Sequence, residues 1–122
     1  DMSRGLGDVY KRQDLGDGVH EVVLTITVDA KEDDKTVFLV ELQQAGLFEL
    51  VGYEPEETKA IVGSYCPSIL FPYAREAIAS TIQKGGFPEF MLQPINFEAL
   101  YLQAQQQAEA NAEAESETAE KH

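Results

Sequence analysis

The sequence predicts an α+β domain with an antiparallel β-sheet, a long helix and a C-terminal helix, and two stretches carry that prediction. Residues 21–30, EVVLTITVDA, alternate apolar and polar side chains, which is typical of a strand with one buried face. Residues 67–84, PSILFPYAREAIASTIQK, place apolar side chains at helical spacing and are followed by Gly85 and Gly86. Paired glycines commonly end a helix, so these residues predict the long helix.

Two more strands are expected. Residues 36–50 resume the alternation after the charged KEDDK at 31–35, which predicts an antiparallel hairpin with the first strand. One face of this second strand carries Phe38, Val40, Leu42 and Gln44, and the other carries Val37, Leu39, Glu41 and Gln43. Gly46 predicts a bulge or bend, and residues 87–94, bounded by prolines, predict a short third strand.

The helix boundaries follow from prolines and caps. Pro55, followed by glutamates, suits a helix start, and that helix is expected to end near Cys66 because Pro67 disfavours α conformation in the preceding residue. Pro67 then begins the long helix. Its apolar stripe is predicted at Ile69, Tyr73 or Ala74, Ala77, Ile78 and Ile82. Asn96 is a predicted N-cap for the last helix.

The two ends of the chain differ in character from its middle. Residues 1–13 have no period and are interpreted as a non-native or disordered lead-in. Residues 108–122 are rich in Glu and lack large apolar side chains, which predicts a disordered acidic tail, although their Ala and Glu content could extend the helix. Residues 14–107 are therefore expected to form a single domain.

Composition excludes several classes of partner. The net charge of −13 repels phosphate backbones and anionic lipid headgroups, so nucleic acid binding and membrane insertion are not expected. A single cysteine forms no internal disulfide, and no apolar stretch has the length of a signal peptide core or a membrane span. We expect a cytoplasmic protein.

The lone thiol of Cys66 has two interpretations. At a helix N-terminus its pKa would be lowered, but catalysis would also require a base, and the only histidines, His20 and His122, make no recognisable pair with it. Free cysteine is among the most buried residue types. We therefore expect a structural cysteine, no enzyme activity, no metal and no cofactor.

Aromatic residues crowd one part of the chain. They are Tyr65, Phe71, Tyr73, Phe87, Phe90, Phe97 and Tyr101. Several must belong to the core, but two helices are few for covering both faces of a sheet. One hypothesis is that a sheet face or a groove beneath a helix stays open for apolar partners or self-association, and the alternative is an ordinary solvated strand face.

Four stretches then reveal a family resemblance: DGVHEVVLTITVDA, TVFLVELQQAGLFEL, YCPSILFPYAREAI and GGFPEFMLQPINFEALYLQ. Over residues 14–107 the chain closely resembles the SecB protein-export chaperones. The resemblance implies a homotetramer, a dimer of dimers, that binds unfolded secretory precursor proteins in the bacterial cytoplasm. It also implies that the precursors are kept translocation-competent and delivered to the SecA ATPase without nucleotide hydrolysis.

The resemblance also implies roles for individual positions. The expected SecA-docking residues are Leu39 and Glu41. The expected client-binding residues are Phe38, Phe97, Leu100 and Tyr101, and the expected oligomer interface is Val40, Leu42 and Gln44.

One departure from the family concerns the N-terminus. Family members begin with an edge strand and a long crossover segment, which residues 1–13 do not match, so three strands and a missing N-terminal strand are expected. A different class of function also stays open, namely a self-associating acidic adaptor that binds one folded partner.

Overall fold

The computed structural model describes residues 3–88 and 91–120. It contains one antiparallel sheet of order β1-β2-β3, formed by β1 (Ser3–Gly16), β2 (Val19–Glu32) and β3 (Lys35–Glu49). Helices follow the sheet in the chain, so the predicted α+β class is confirmed.

Strand β1 occupies residues in which the sequence predicts a lead-in. It pairs with β2 from Ser3 opposite Lys31 to Gly16 opposite Val19. The turn between them is Asp17-Gly18, and both residues have positive φ, as two-residue hairpin turns require. The hydrogen bonds of this pairing come from backbone groups, which every residue type has. Strand β1 therefore forms although its side chains do not alternate between apolar and polar.

The helical elements are α1 (Pro55–Ala60), a π-helical turn (Ile61–Tyr65), α2 (Cys66–Lys84) and α3 (Phe97–Glu120). The start of α1 at Pro55 and the end of α2 before Gly85 are as predicted.

The predicted break at Cys66 is wrong, because the backbone there is helical, with φ −62° and ψ −48°. The Cys66 N–H donates to the carbonyl of Ile61, five residues earlier. A π turn is wider than an α turn and leaves room for the ring of Pro67. The chain therefore passes from α1 to α2 without a new helix N-terminus.

The core lies between β2 and α2. From β2, the side chains of Val22, Leu24, Ile26 and Val28 are fully buried. From α2, the buried row is Cys66, Leu70, Ala74, Ile78 and Ile82, every fourth residue. The predicted stripe is wrong at Ile69, whose side chain is exposed, and of the alternatives Tyr73 and Ala74 the structure buries Ala74. Helical spacing permits two adjacent rows, and packing against β2 selects one of them.

Gly46 does not mark a bulge. It pairs in register with Val22, and the register shift in this hairpin lies at Ala30 and Lys31 instead. A Cβ atom at position 46 would lie 2.8 Å from Cδ2 of Leu70. The absence of a side chain at Gly46 therefore leaves room for Leu70 of α2 against the sheet.

The segment between α2 and α3 is irregular. Part of the predicted strand at 87–94 lies outside the described residues, and its described members, 87–88 and 91–94, form no strand. Pro88 and Pro94 lack the N–H that a ladder needs. Leu92 is nevertheless buried, so side-chain packing holds the segment against the core.

Helix α3 begins as predicted, since the side-chain oxygen of Asn96 accepts a hydrogen bond of 3.0 Å from the Ala99 N–H. It continues to Glu120, through residues 108–120 where the sequence predicts a disordered tail. Ala and Glu have high helix propensity, which accounts for the extension.

Candidate functional site

An apolar cavity of about 210 Å³ lies beneath the first turns of α3. Its lining residues are Tyr10, Leu24, Gly63, Phe97, Leu100, Tyr101 and Ala104. We call it the α3 groove. Its walls come from β1, β2, the π turn and α3, so it requires the whole fold.

The first turns of α3 are anchored at Phe97 and Tyr101. Phe97 is buried and packs edge-on against Phe71 of α2, with ring centroids 5.7 Å apart. Tyr101 lies over Gly63, where any Cβ atom would collide with its ring and would come within 2.8 Å of the Tyr10 hydroxyl oxygen. The Gln105 side chain donates a 3.1 Å hydrogen bond to the Tyr101 hydroxyl. Gly63 therefore lies directly beneath the first turns of α3 and allows their close packing on the π turn.

The groove carries no charge near neutral pH. Burial raises the pKa of Tyr10 above its ordinary value, and the neighbouring Tyr101 raises it further. The Tyr10 phenol therefore stays protonated, and the remaining lining is aliphatic or aromatic. Such a surface favours apolar ligands and offers phenol hydroxyls at one wall.

The structure brings together three of the four residues expected to bind clients. Phe97, Leu100 and Tyr101 line the groove, whereas Phe38 contacts Phe87 at a centroid distance of 4.8 Å. Phe38 pairs with Ala30, six residues along β2 from Leu24 of the groove, or about 20 Å away. It therefore belongs to a separate part of the helix side of the sheet.

Sequence reasoning missed Tyr10 as a groove residue. Tyr10 lies in the stretch interpreted as a lead-in, and it enters the site only because β1 pairs with β2, opposite Leu24. The dipeptide Asp17-Gly18 was the available signal, because Asp-Gly between two extended segments indicates a tight hairpin.

The face of the sheet opposite α2 carries the residues expected to dock SecA. Leu39 is 62% exposed and Glu41 is also exposed. Leu47 on the same strand adds exposed apolar surface on this side. We call this surface the open face.

The expected oligomer residues lie on the other side of β3. Val40 and Leu42 are half-buried and pack against the core, and Gln44 is half-buried too. Their exposed fractions fall between those of the core and the open face. Their role in assembly stays a prediction.

Cys66 is completely buried, and burial raises the pKa of its thiol to about 11. The helix continues through Cys66, so no helix N-terminus stabilises a thiolate there. His20 lies in β2 and His122 lies outside the described residues. Within the described residues, no group of three or more His, Cys, Asp or Glu side chains is placed to hold a metal ion.

The fold is one that SecB-like chaperones adopt. The solved SecB-like chaperone of Mycobacterium tuberculosis, in complex with a ChAD peptide from the HigA1 antitoxin, superposes with a TM-score of 0.59. The match covers 78% of this chain and 72% of that one, at 16% identity, and it shows the fold.

The family follows from sequence. The family model described as preprotein translocase subunit SecB matches residues 8–108, so the chain belongs to the SecB family. It is 56% identical over 96 residues to the protein-export protein SecB of Nitrosococcus oceani, covering 79% of this chain and 58% of that protein. It is 51% identical to the protein-export protein SecB of Methylococcus capsulatus, covering 79% of this chain and 62% of that protein. The chain thus spans about three-fifths of the length of these relatives.

None of the helices in the described ranges is both long enough and apolar enough to cross a bilayer.

Replacing Gly63 by Ala should loosen the first turns of α3. The new methyl group would collide with the Tyr101 ring, and relieving such overpacking costs about 1–3 kcal/mol. Amide hydrogen exchange in residues 97–104 should accelerate by about 5- to 150-fold, which corresponds to that cost, while exchange in β2 changes little. Gly85→Ala is the matched control, because its Cβ would meet its nearest neighbour at 3.4 Å. Equal exchange in both variants would contradict the proposed contact.

Cys66 should react slowly with thiol reagents in the folded chain. With a pKa of about 11 instead of 9.0, the thiolate fraction at pH 8 falls about 100-fold. Because the thiolate is the reactive form, the rate should rise about tenfold per pH unit from pH 8 to 10. The same chain unfolded in guanidinium chloride is the control, and equal labelling rates at pH 8 would show that Cys66 is accessible and ionised.

Proposed function

We propose that this chain is a chaperone of protein export in the bacterial cytoplasm. It binds unfolded secretory precursor proteins, keeps them translocation-competent and delivers them to the SecA ATPase, without hydrolysing nucleotide. The α3 groove is the observation that supports client binding best, because it offers an uncharged apolar surface on a member of the SecB family.

The groove suits recognition without a sequence motif. Apolar burial contributes about 25 cal/mol per Å² and has no direction, so one bulky side chain contributes about 1.5–3 kcal/mol wherever it fits. A folded protein has such side chains inside, whereas an unfolded chain exposes many. Selectivity for unfolded clients therefore follows from exposure alone.

Charge supports the same function. The net charge of −13 keeps exposed apolar surface in solution and favours association with basic partners. On the open face, Leu39 offers an apolar contact and Glu41 an anionic one, two residues apart on the same strand. We assign SecA docking to these two residues.

Assembly as a homotetramer, a dimer of dimers, is part of the proposal. At the end of the π turn and along α2, Tyr65, Ile69 and Tyr73 follow one another at four-residue spacing and are all exposed. On the same side of the sheet, Val40, Leu42 and Gln44 are only half-buried. A second pair of chains packed on this side would cover both sets of side chains.

The chain should delay the refolding of a chemically denatured secretory precursor when the two are present in near-equal amounts, without ATP. Light scattering and recovered precursor activity measure the delay, and the solution mass of the same sample records the assembly state. A folded precursor should neither bind nor compete. A tetramer that causes no delay would contradict the chaperone function.

Replacing Leu39 and Glu41 together by Arg should weaken SecA binding by at least tenfold and leave precursor binding within twofold. The new charges repel a basic docking surface but lie on the side of the sheet away from the α3 groove. Replacing Leu47 and Glu49 by Arg is the matched control, with the same residue types on the same face of β3. Equal loss in both double variants, or loss of precursor binding, would refute the assigned docking residues.

A further inference from the structure

A cleft of about 550 Å³ opens between the end of β1 and the start of α1. Its charged and polar lining includes Arg12 and Asp14 of β1, His20 of β2, and Glu56 and Lys59 of α1. A volume of this size is typical of small-molecule sites. We call it the charged cleft. None of the residues assigned above to clients, SecA or assembly lines it, so the proposed function leaves its chemistry unused.

The charged cleft receives one cation and one anion from each of two elements. Arg12 and Asp14 lie two residues apart and therefore on the same face of β1, while Glu56 and Lys59 lie three residues apart on α1. Among the described residues, none of these four side chains has an oppositely charged partner within 4.0 Å. Asp14 accepts a 2.9 Å hydrogen bond from the Gly16 N–H and keeps its charge. The four charges are therefore available to a ligand.

His20 adds a buried polar group to the charged cleft, next to Asp14 on the neighbouring strand. Its side chain is only 5% exposed, and its Nδ1 has no hydrogen-bond partner among the described residues. Buried polar atoms without a partner are rare, because they lose their hydrogen bonds to water on folding. This histidine indicates that the cleft takes a ligand with a polar group.

The pattern of charge determines which ligand fits. A purely anionic ligand would be repelled by Asp14 and Glu56, and a purely cationic ligand would be repelled by Arg12 and Lys59. A zwitterion instead meets an opposite charge for each of its own on both elements. The two charged positions are about 7 Å apart along the strand and about 5–6 Å apart along the helix. The ligand's own charges should therefore be separated by a similar distance.

We propose that the charged cleft binds a small zwitterion of the ω-amino acid class, with its ammonium and carboxylate groups about 5–7 Å apart. The carboxylate pairs with Arg12 and Lys59, and the ammonium pairs with Asp14 and Glu56. The Nδ1 atom of His20 gains its missing hydrogen bond from one of these two groups. This site goes beyond the proposed function, because it takes a free small molecule and none of the assigned client residues contributes to it.

The probe is 5-aminopentanoate, whose nitrogen and carboxyl carbon lie about 6 Å apart when the molecule is extended. Binding to the ¹⁵N-labelled full chain is measured by NMR titration, with saturable amide shifts expected at His20, Thr58 and Lys59. Three comparison molecules should bind at least tenfold more weakly. They are glycine, with a separation of about 2.5 Å, and the single-charge analogues pentanoate and 5-aminopentanamide. Equal binding by any of the three, or no saturable shift at these residues, would overturn the proposal.

Two exposed residues test the assignment of charges. Arg12→Gln should weaken binding of 5-aminopentanoate at least fivefold without weakening 5-aminopentanamide, which has no carboxylate. Asp14→Asn, which can still accept from the Gly16 N–H, should weaken 5-aminopentanoate at least fivefold without weakening pentanoate, which has no ammonium. Lys11→Gln is the matched control, because it removes the same charge one residue away on the opposite face of β1, and it should change binding by less than twofold. Equal losses in Arg12→Gln and Lys11→Gln would overturn the assignment of Arg12.

His20→Phe tests the buried polar atom, because it keeps an aromatic ring and removes both nitrogens. It should weaken binding of 5-aminopentanoate at least fivefold when measured below the melting temperature of the variant. Unchanged affinity would contradict the role of His20 as a ligand-binding residue.

The precursor refolding assay separates this site from client binding. Saturating 5-aminopentanoate should change the refolding delay by less than twofold, because none of the assigned client residues lines the charged cleft. Displacement of the probe by an unfolded precursor would show that the cleft belongs to client binding, and it would overturn a separate site. Probe binding with no refolding delay would overturn the export function and leave the zwitterion site intact.

Discussion

The burial of one face of β2 beneath α2 is the constraint on which the rest of the structure depends. Val22, Leu24, Ile26 and Val28 are removed almost completely from water, and each such side chain contributes about 1.5–3 kcal/mol. Gly46 lets α2 approach closely enough to make this contact. Because α2 is packed on the sheet, the π turn that precedes it places Gly63 directly beneath Tyr101 of α3. The α3 groove is therefore a consequence of how the core packs.

The two sides of the sheet are suited to different partners. The helix side presents the apolar α3 groove and half-buried strand residues, while the opposite side presents exposed Leu39 and Glu41. Successive side chains of a strand point to opposite faces, so residues of the helix side and residues of the open face alternate along β3. Under the proposed function, a client on one side and SecA on the other would not compete for the same side chains.

Some elements of this structure follow from side-chain patterns in the sequence, whereas others depend on contacts that leave no such pattern. Strands β2 and β3, the start of α1, the end of α2 and the Asn96 cap follow from side-chain patterns and were predicted. Strand β1 and the continuous helix through Cys66 depend on backbone pairing and on a π turn, which leave little pattern in the side chains. The groove was predicted only where α3 lines it. Its walls at Tyr10 and Gly63 come from residues far apart in sequence, and only the packed fold brings them together.

The most direct test of the account is to locate the client on the chain by NMR. The ¹⁵N-labelled protein would be titrated with a precursor that a destabilising substitution keeps unfolded. If the client binds in the α3 groove, the largest amide shifts should fall at Leu24, Gly63, Leu100 and Ala104, with little change at Leu39 and Glu41. Changes confined to the open face of β3, with none around the α3 groove, would contradict it.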